Sequence, residues 1–181
     1  MARIPLIGET DRPELTALIA RLKAARGGKL INLYRLLLNS PTIAKAWLDF
    51  NSAVRFQTTL DAGVRELVIL RVATLNGADY QLRIHGGADY AVKAGLSEEQ
   101  VAALADWQNK PAVFTPLQRA VLAYVDAMTR TIEVPDAIYD EFARHFNAQQ
   151  ILEVTVLAGA YNMHTRVARA LRLDIEPAAP K

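Results

Sequence analysis

The sequence contains no cysteine. Disulfide bonds, thiolate metal ligands and every thiol-based redox mechanism are therefore excluded. No apolar run approaches the roughly 20 residues that a membrane-spanning helix needs. The first residues, MARIPLIGETDRPEL, lack the long apolar segment of a secretory signal. We therefore expect a cytoplasmic protein that does not enter a membrane.

A strong surplus of charge of one sign is also missing. Lys and Arg number 21 and Asp and Glu number 19, which gives a net charge of +2 and no basic block. Proteins that follow a phosphate backbone carry a basic stripe, so nucleic acid is not expected as a partner. The three histidines lack a ligand spacing such as His-Glu-x-x-His. Neither a metal nor another cofactor is expected.

The main pattern in the sequence is the recurrence of apolar residues at helical spacing. Hydrophobic residues make up 51% of the 181 residues, enough for a substantial core. The stretch VRELVILRVATL is apolar on all sides, which predicts a helix in the middle of the protein. No composition shift or linker divides the chain. We predict an all-α fold of about eight helices in a single domain, residues 1–181, with an extended tail at 175–181.

Start and stop signals delimit these helices. Asp61 can cap the central helix, and Pro41 can occupy a first helical turn after Ser40. A further helix is predicted from about Tyr80 to a stop at Gly95. The capping-box pattern occurs three times, at Ser97 with Gln100, Thr115 with Gln118, and Asn147 with Gln150.

One polar stripe follows the central helix. Ala78, Gln81 and His85 are separated by three and four residues, so they share a helical face after the Asn-Gly turn at 76–77. Glu66 lies on the preceding helix. If the two helices pack as an antiparallel pair, this carboxylate meets the imidazole. Histidine exchanges protons near neutral pH, and Glu66 could orient the ring or take its proton.

The segment RELVILRVATLNGADYQLRIHGGADYAVKAGLSEEQVAAL resembles the core of the carboxymuconolactone decarboxylase and alkylhydroperoxidase D superfamily. The resemblance is specific over residues 64–104 and looser over most of the chain. It implies an all-helical subunit that assembles into trimers or hexamers. The pocket would be bounded by helices and often by a neighbouring subunit.

The sequence departs from this family at the thiols. The hydroperoxidase branch carries Cys-x-x-Cys-x-x-x-His, which places Ala78 and Gln81 at the thiol positions and His85 at the histidine. Peroxide reduction by that route is impossible here, although Glu66 still matches the family's acid. The decarboxylase branch uses no thiol pair and typically has a Tyr followed by an acid, where this chain has Tyr80 and Gln81. A neutral amide can position a substrate but cannot exchange a proton.

The resemblance and the residues together predict a thiol-independent lyase of the decarboxylase kind. Its substrate would be a small carboxylated or lactone compound. In this hypothesis His85 is the general acid or base, Glu66 orients it, and Tyr80 and Gln81 donate to the developing oxyanion. Three residues are candidates for contacting the substrate elsewhere: Arg71 and Arg83 at its carboxylate, and His164 at the pocket wall.

Each of these residues also has a structural interpretation. His85 could be a partly buried helix histidine, Glu66 an acid favoured by the helix start, and the two arginines salt-bridge partners. Two other functions therefore stay open. One is a peroxidase-related antioxidant protein by homology only, and the other is a non-catalytic helical oligomer that binds a small ligand.

Overall fold

The computed structural model describes residues 1–176, without the side chains at 88 and 89. All the regular secondary structure in this part of the chain is helical and none of it is strand, which confirms the predicted all-α class. Most of the predicted extended tail lies outside the described residues. The α-helices are α1 Thr16–Ala24, α2 Asn32–Leu37, α3 Pro41–Phe56, α4 Ala62–Leu75, α5 Asp79–His85, α6 Glu98–Ala103, α7 Pro116–Arg130, α8 Asp136–Ala143 and α9 Ala148–Ala170.

The helix starts follow the predicted capping residues. Pro41 is the first residue of α3, and the Asp61 carboxylate accepts a hydrogen bond from the Gly63 amide at 2.8 Å ahead of α4. Such caps satisfy amide groups that have no partner within the helix. All three predicted capping boxes form, at Ser97 with Gln100, Thr115 with Gln118, and Asn147 with Gln150.

The single helix predicted from Tyr80 to Gly95 is wrong. The α5 helix ends at His85, and a π-helical segment, Ala88–Val92, follows two glycines. A Cβ built on Gly86 would lie 2.6 Å from the Leu82 carbonyl oxygen, so this close backbone approach requires glycine. Gly95 has a φ of 92°, as expected for a stop. His85 therefore lies at a helix end rather than inside a longer helix.

The α4 helix is the centre of its surroundings, as its sequence predicts. It packs against α5 and α7, and its apolar side chains from Leu67 to Leu70 are 0% exposed. Two ionisable side chains of α4 are equally hidden, since Glu66 is 3% and Arg71 1% exposed. Because burying a charge without a partner is costly, each of them needs one.

The chain packs as two compact units. One contains residues 1–56 and the chain from 167 onward, and the other contains residues 57–166. In the first unit Arg26 donates to the hydroxyl of the fully buried Tyr34 at 2.8 Å, and burial raises the pKa of this phenol. All the predicted site residues lie in the second unit. The single-domain prediction for residues 1–181 stays a prediction.

Among residues 1–176, no helix has the length and apolar character that crossing a membrane demands.

Candidate functional site

Glu66 and His85 form a buried pair. The Glu66 carboxylate oxygen Oε2 lies 2.7 Å from His85 Nδ1, and the two residues are 3% and 4% exposed. The α4 and α5 helices meet across a tight turn, where the Ala78 amide donates to the Ala73 carbonyl at 2.8 Å and Gly77 has a φ of 57°. The predicted meeting of carboxylate and imidazole is therefore confirmed as a contact.

The Glu66 contact orients the imidazole ring. A carboxylate is an acceptor only, so it holds a proton on Nδ1 and leaves Nε2 to exchange protons with another group. The hydroxyl of Tyr161 lies 3.4 Å from His85 Nε2. This separation is long for a hydrogen bond. The arrangement thus places the Tyr161 hydroxyl near Nε2.

Aromatic rings surround His85. Tyr161, on α9, meets the imidazole edge to face with ring centroids 5.5 Å apart, and Tyr90, on the π-helical segment, lies at 5.0 Å. His164 contacts Tyr161 at 4.9 Å between centroids. Tyr161 and His164 are 2% and 3% exposed, whereas Tyr90 is 36% exposed. The imidazole therefore lies in a largely dry environment, with Tyr90 on the solvent side.

Of the stripe predicted on α5, Gln81 and His85 lie on the helix, whereas Ala78 precedes it with a non-helical backbone, φ −95° and ψ 83°. Ala78, Gln81 and His85 are 1%, 4% and 4% exposed. The Gln81 side-chain oxygen Oε1 is buried without a hydrogen-bond partner in the described part of the chain. Buried polar atoms are nearly always hydrogen-bonded, and an unsatisfied one costs about 1–3 kcal/mol. Gln81 therefore offers an acceptor beside the imidazole.

Three predicted residues are not brought together with His85. Arg71 donates to both carboxylate oxygens of Asp126, at 2.5 and 2.7 Å, and to the Leu104 carbonyl. A substrate carboxylate would have to displace these acceptors. At about 100° per residue, buried Tyr80 and exposed Arg83 both point well away from the His85 side of α5.

Tyr90 and Tyr161 were not among the predicted site residues. Tyr161 precedes His164 by three positions, so the sequence indicates that the two residues share a helical face. Its contact with His85 could not be predicted in this way, because the two residues are 76 positions apart. Tyr90 was not predicted at the site, because the wrongly predicted continuous helix would have directed it away from His85. Only the break at Gly86 and Gly87 lets it reach the imidazole.

Within residues 1–176, leaving aside the side chains at 88 and 89, no three His, Asp or Glu residues are grouped so as to hold a metal ion.

Comparison with known proteins identifies relatives in sequence and in fold. The sequence pattern of the carboxymuconolactone decarboxylase family matches residues 41–127. The uncharacterized protein YnjA of Escherichia coli K12 is 32% identical over 131 residues, which cover 72% of this chain and 68% of YnjA.

Solved structures agree on the fold. An alkylhydroperoxidase AhpD core, an uncharacterized peroxidase-related protein from Ralstonia eutropha JMP134, matches with a TM-score of 0.79 and 19% identity, over 99% of this chain and 98% of that one. The debrominase Bmp8, solved in complex with 2,3,4-tribromopyrrole, matches with a TM-score of 0.77 and 18% identity, over 98% and 95%. The AhpD-like helical fold is therefore shared, and the chain belongs to the carboxymuconolactone decarboxylase family.

Proposed function

We propose that this protein is a thiol-independent lyase that performs acid–base chemistry on a small carboxylated or lactone substrate. The observation that carries the proposal is the buried hydrogen bond between Glu66 and His85. A histidine held by a carboxylate on one ring nitrogen presents the other nitrogen for proton transfer. The family of the chain includes decarboxylases by name, which supports the reaction class.

Loss of carbon dioxide from a lactone acid needs one proton donor. The bond between the carboxylate carbon and the ring breaks, and its electron pair moves into the ring as an enolate. Protonated His85 then delivers the Nε2 proton to the ring carbon and regains a proton from water. Glu66 stabilises the imidazolium between these steps, because an opposite charge in contact favours the protonated form.

The groups around the imidazole supply the remaining contacts. A substrate oxygen near His85 Nε2 would also be near the Tyr161 hydroxyl, which lies 3.4 Å from that nitrogen. The Tyr161 hydroxyl can therefore donate to the oxygen on which enolate charge develops. Gln81 Oε1, which lacks a partner among the described residues, can accept a hydrogen bond from a substrate hydroxyl. These assignments make Tyr161 and Gln81 the substrate-contacting residues.

The other predicted contacts receive less support from the geometry. Arg71 is engaged by Asp126, and both Tyr80 and Arg83 are directed away from the His85 face. His164 touches Tyr161 and would act on the pocket wall through that ring. Assembly into a trimer or hexamer stays a prediction, to be measured by light scattering on the purified protein.

The peroxidase-related alternative is disfavoured by the residues at the thiol positions. Ala78 is a buried methyl group and Gln81 a buried amide. Neither can form the sulfur intermediates of a thiol route. A non-catalytic ligand-binding role would require only that the pocket bind, without turnover.

An assay with carboxymuconolactone and a panel of small lactone acids tests the proposal. Carbon dioxide release is followed for the native protein, for His85→Gln and for His145→Gln, a control histidine that follows α8 and lies 3.7 Å from Glu141. We expect His85→Gln to lower turnover by about 10²- to 10⁴-fold and His145→Gln to leave it unchanged. Thermal unfolding verifies that both variants fold.

Three results would contradict the proposal. Equal turnover by His85→Gln and the native protein would remove the acid–base role. Saturable binding of the lactone acids with no product from any of them would instead favour the ligand-binding role. Peroxide consumption with an external thiol, lost in His85→Gln, would revive the antioxidant function.

A further inference from the structure

An open surface cavity lies in the unit of residues 57–166, and neither Glu66 nor His85 lines it. Its volume is about 360 Å³, within the range of small-molecule sites. None of the residues that line it contacts His85 in the site described above. They come from α7, α8 and the segments beside them: Trp107, Gln108, Ala123, Asp126, Ala127, Arg130, Thr131, Pro135 and Ile138.

One wall of the cavity is a fixed polar cluster. The Asp126 carboxylate accepts hydrogen bonds from Arg71 Nη2 at 2.7 Å, Gln108 Nε2 at 2.9 Å and Trp107 Nε1 at 3.2 Å. Its charge is neutralised by Arg71, whose side chain is 1% exposed. The indole of Trp107 is thereby held in one orientation. A ligand would meet a neutralised carboxylate and a rigid aromatic surface there.

The rest of the cavity lining is mostly apolar and carries one charged side chain. Ala123, Ala127, Pro135 and Ile138 provide small or apolar walls. Arg130 is the last residue of α7 and is exposed. Since Asp126 is neutralised, Arg130 gives the lining residues a net positive charge. Such a surface complements a compact ring that carries one carboxylate.

The backbone at the edge of the cavity is strained. Ile132, next to the lining residue Thr131, has a φ of 69° and is 84% exposed. A β-branched residue in the left-handed region is a true outlier, and such strain concentrates at binding sites. The Thr131 hydroxyl lies 2.8 Å from the Ala127 carbonyl and 2.9 Å from the Glu133 carbonyl, which fixes the turn. Because Ile132 is exposed, burial in the core does not explain why an isoleucine occupies this position.

We propose that this cavity is a binding site for a small aromatic or alicyclic carboxylate, with the ring against Trp107 and the carboxylate on Arg130. The site is independent of the chemistry proposed at His85.

Trp107 fluorescence tests this proposal. The chain has two tryptophans, so a Trp47→Phe background leaves Trp107 as the reporter. Benzoate is the probe and benzyl alcohol its uncharged counterpart. We expect a saturable change in Trp107 emission with benzoate. Arg130→Gln should weaken benzoate binding roughly two- to fivefold and leave benzyl alcohol binding unchanged, as expected for one exposed charge contact.

Three further variants fix the location. Arg144→Gln removes an exposed arginine that pairs with Glu141 and should leave benzoate binding unchanged. Ala127→Leu should weaken the binding of both probes, because the larger side chain occupies part of the cavity. His85→Gln should not alter either one, which separates this site from the proposed active site. The proposal is overturned by an unsaturable response, by equal benzoate affinity in Arg130→Gln, or by loss of the response in His85→Gln.

Discussion

Two buried ion pairs begin on the same helix, α4, and differ in what they can do. Glu66 contacts His85 at 2.7 Å, and Arg71 contacts Asp126 at 2.5 and 2.7 Å. A guanidinium stays protonated in proteins, whereas an imidazole exchanges its proton near neutrality. The Arg71 pair therefore contains a permanent cation, and the Glu66 pair contains a side chain that can exchange its proton.

The two pairs also differ in the polar groups that surround them. Asp126 also accepts from Trp107 and Gln108, so its oxygens are fully engaged and α4 is joined to α7. Around His85, the Tyr161 hydroxyl is 3.4 Å from Nε2, and Gln81 Oε1 has no partner within residues 1–176. One pair joins α4 to α7, and the other joins α4 to α5 through a side chain that can exchange a proton. Burial alone therefore does not identify a functional charge.

The largest expected effect is on stability at the first pair. Arg71→Leu should lower the free energy of unfolding by about 3–5 kcal/mol, because the Asp126 charge stays buried without its partner. Urea unfolding measures the loss. The double variant Arg71→Leu with Asp126→Leu should recover most of it, since an apolar pair replaces the ion pair. A double variant as unstable as the single one would contradict this assignment.

The second pair should respond in activity. Glu66→Gln removes the charge that stabilises the imidazolium, and we expect turnover to fall roughly 10- to 100-fold. The limb of the pH–rate profile that reports His85 should move to lower pH, since the protonated ring loses its counter-ion. Glu141→Gln is the matched control, because it alters a carboxylate near an imidazole that is half exposed. An unmoved profile in Glu66→Gln would mean that the pair is structural.

The Tyr161 hydroxyl should have a smaller effect. Tyr161→Phe keeps the ring against His85 and removes only the hydroxyl near Nε2, so we expect a roughly three- to tenfold lower kcat. Tyr124→Phe is the control, since its hydroxyl lies 2.8 Å from Thr155 Oγ1 rather than near the imidazole. If both variants lowered kcat equally, Tyr161 would not act at the reacting atoms.

The smallest effect is expected at Arg83. This side chain is exposed and lies away from the His85 side of α5, so Arg83→Gln should change stability by less than about 0.5 kcal/mol. Its KM for a lactone acid should stay within about twofold of the native value. A tenfold rise in KM would restore Arg83 to the substrate site and show that the pocket reaches the outer face of α5.

Local patterns predicted much of this molecule. The cap residues follow from spacings of about three residues, and the all-α class follows from apolar residues at helical spacing. The meeting of Glu66 with His85, 19 residues apart, follows from antiparallel packing of two helices about one short turn. The partner of Arg71 could not be found in this way, because Asp126 is 55 residues away. Tyr161 was missed for the same reason. The helix break after His85 was not predicted, because the residues on both sides of the two adjacent glycines continue a helical pattern.

The isolated oxygen of Gln81 has a consequence for selectivity. A ligand that donates a hydrogen bond to Oε1 relieves a desolvation cost of about 1–3 kcal/mol, and a ligand without a donor leaves that cost in place. Two otherwise equal compounds would then differ by roughly 5- to 150-fold in affinity. Gln81 would in this way distinguish hydroxylated compounds from their deoxy analogues.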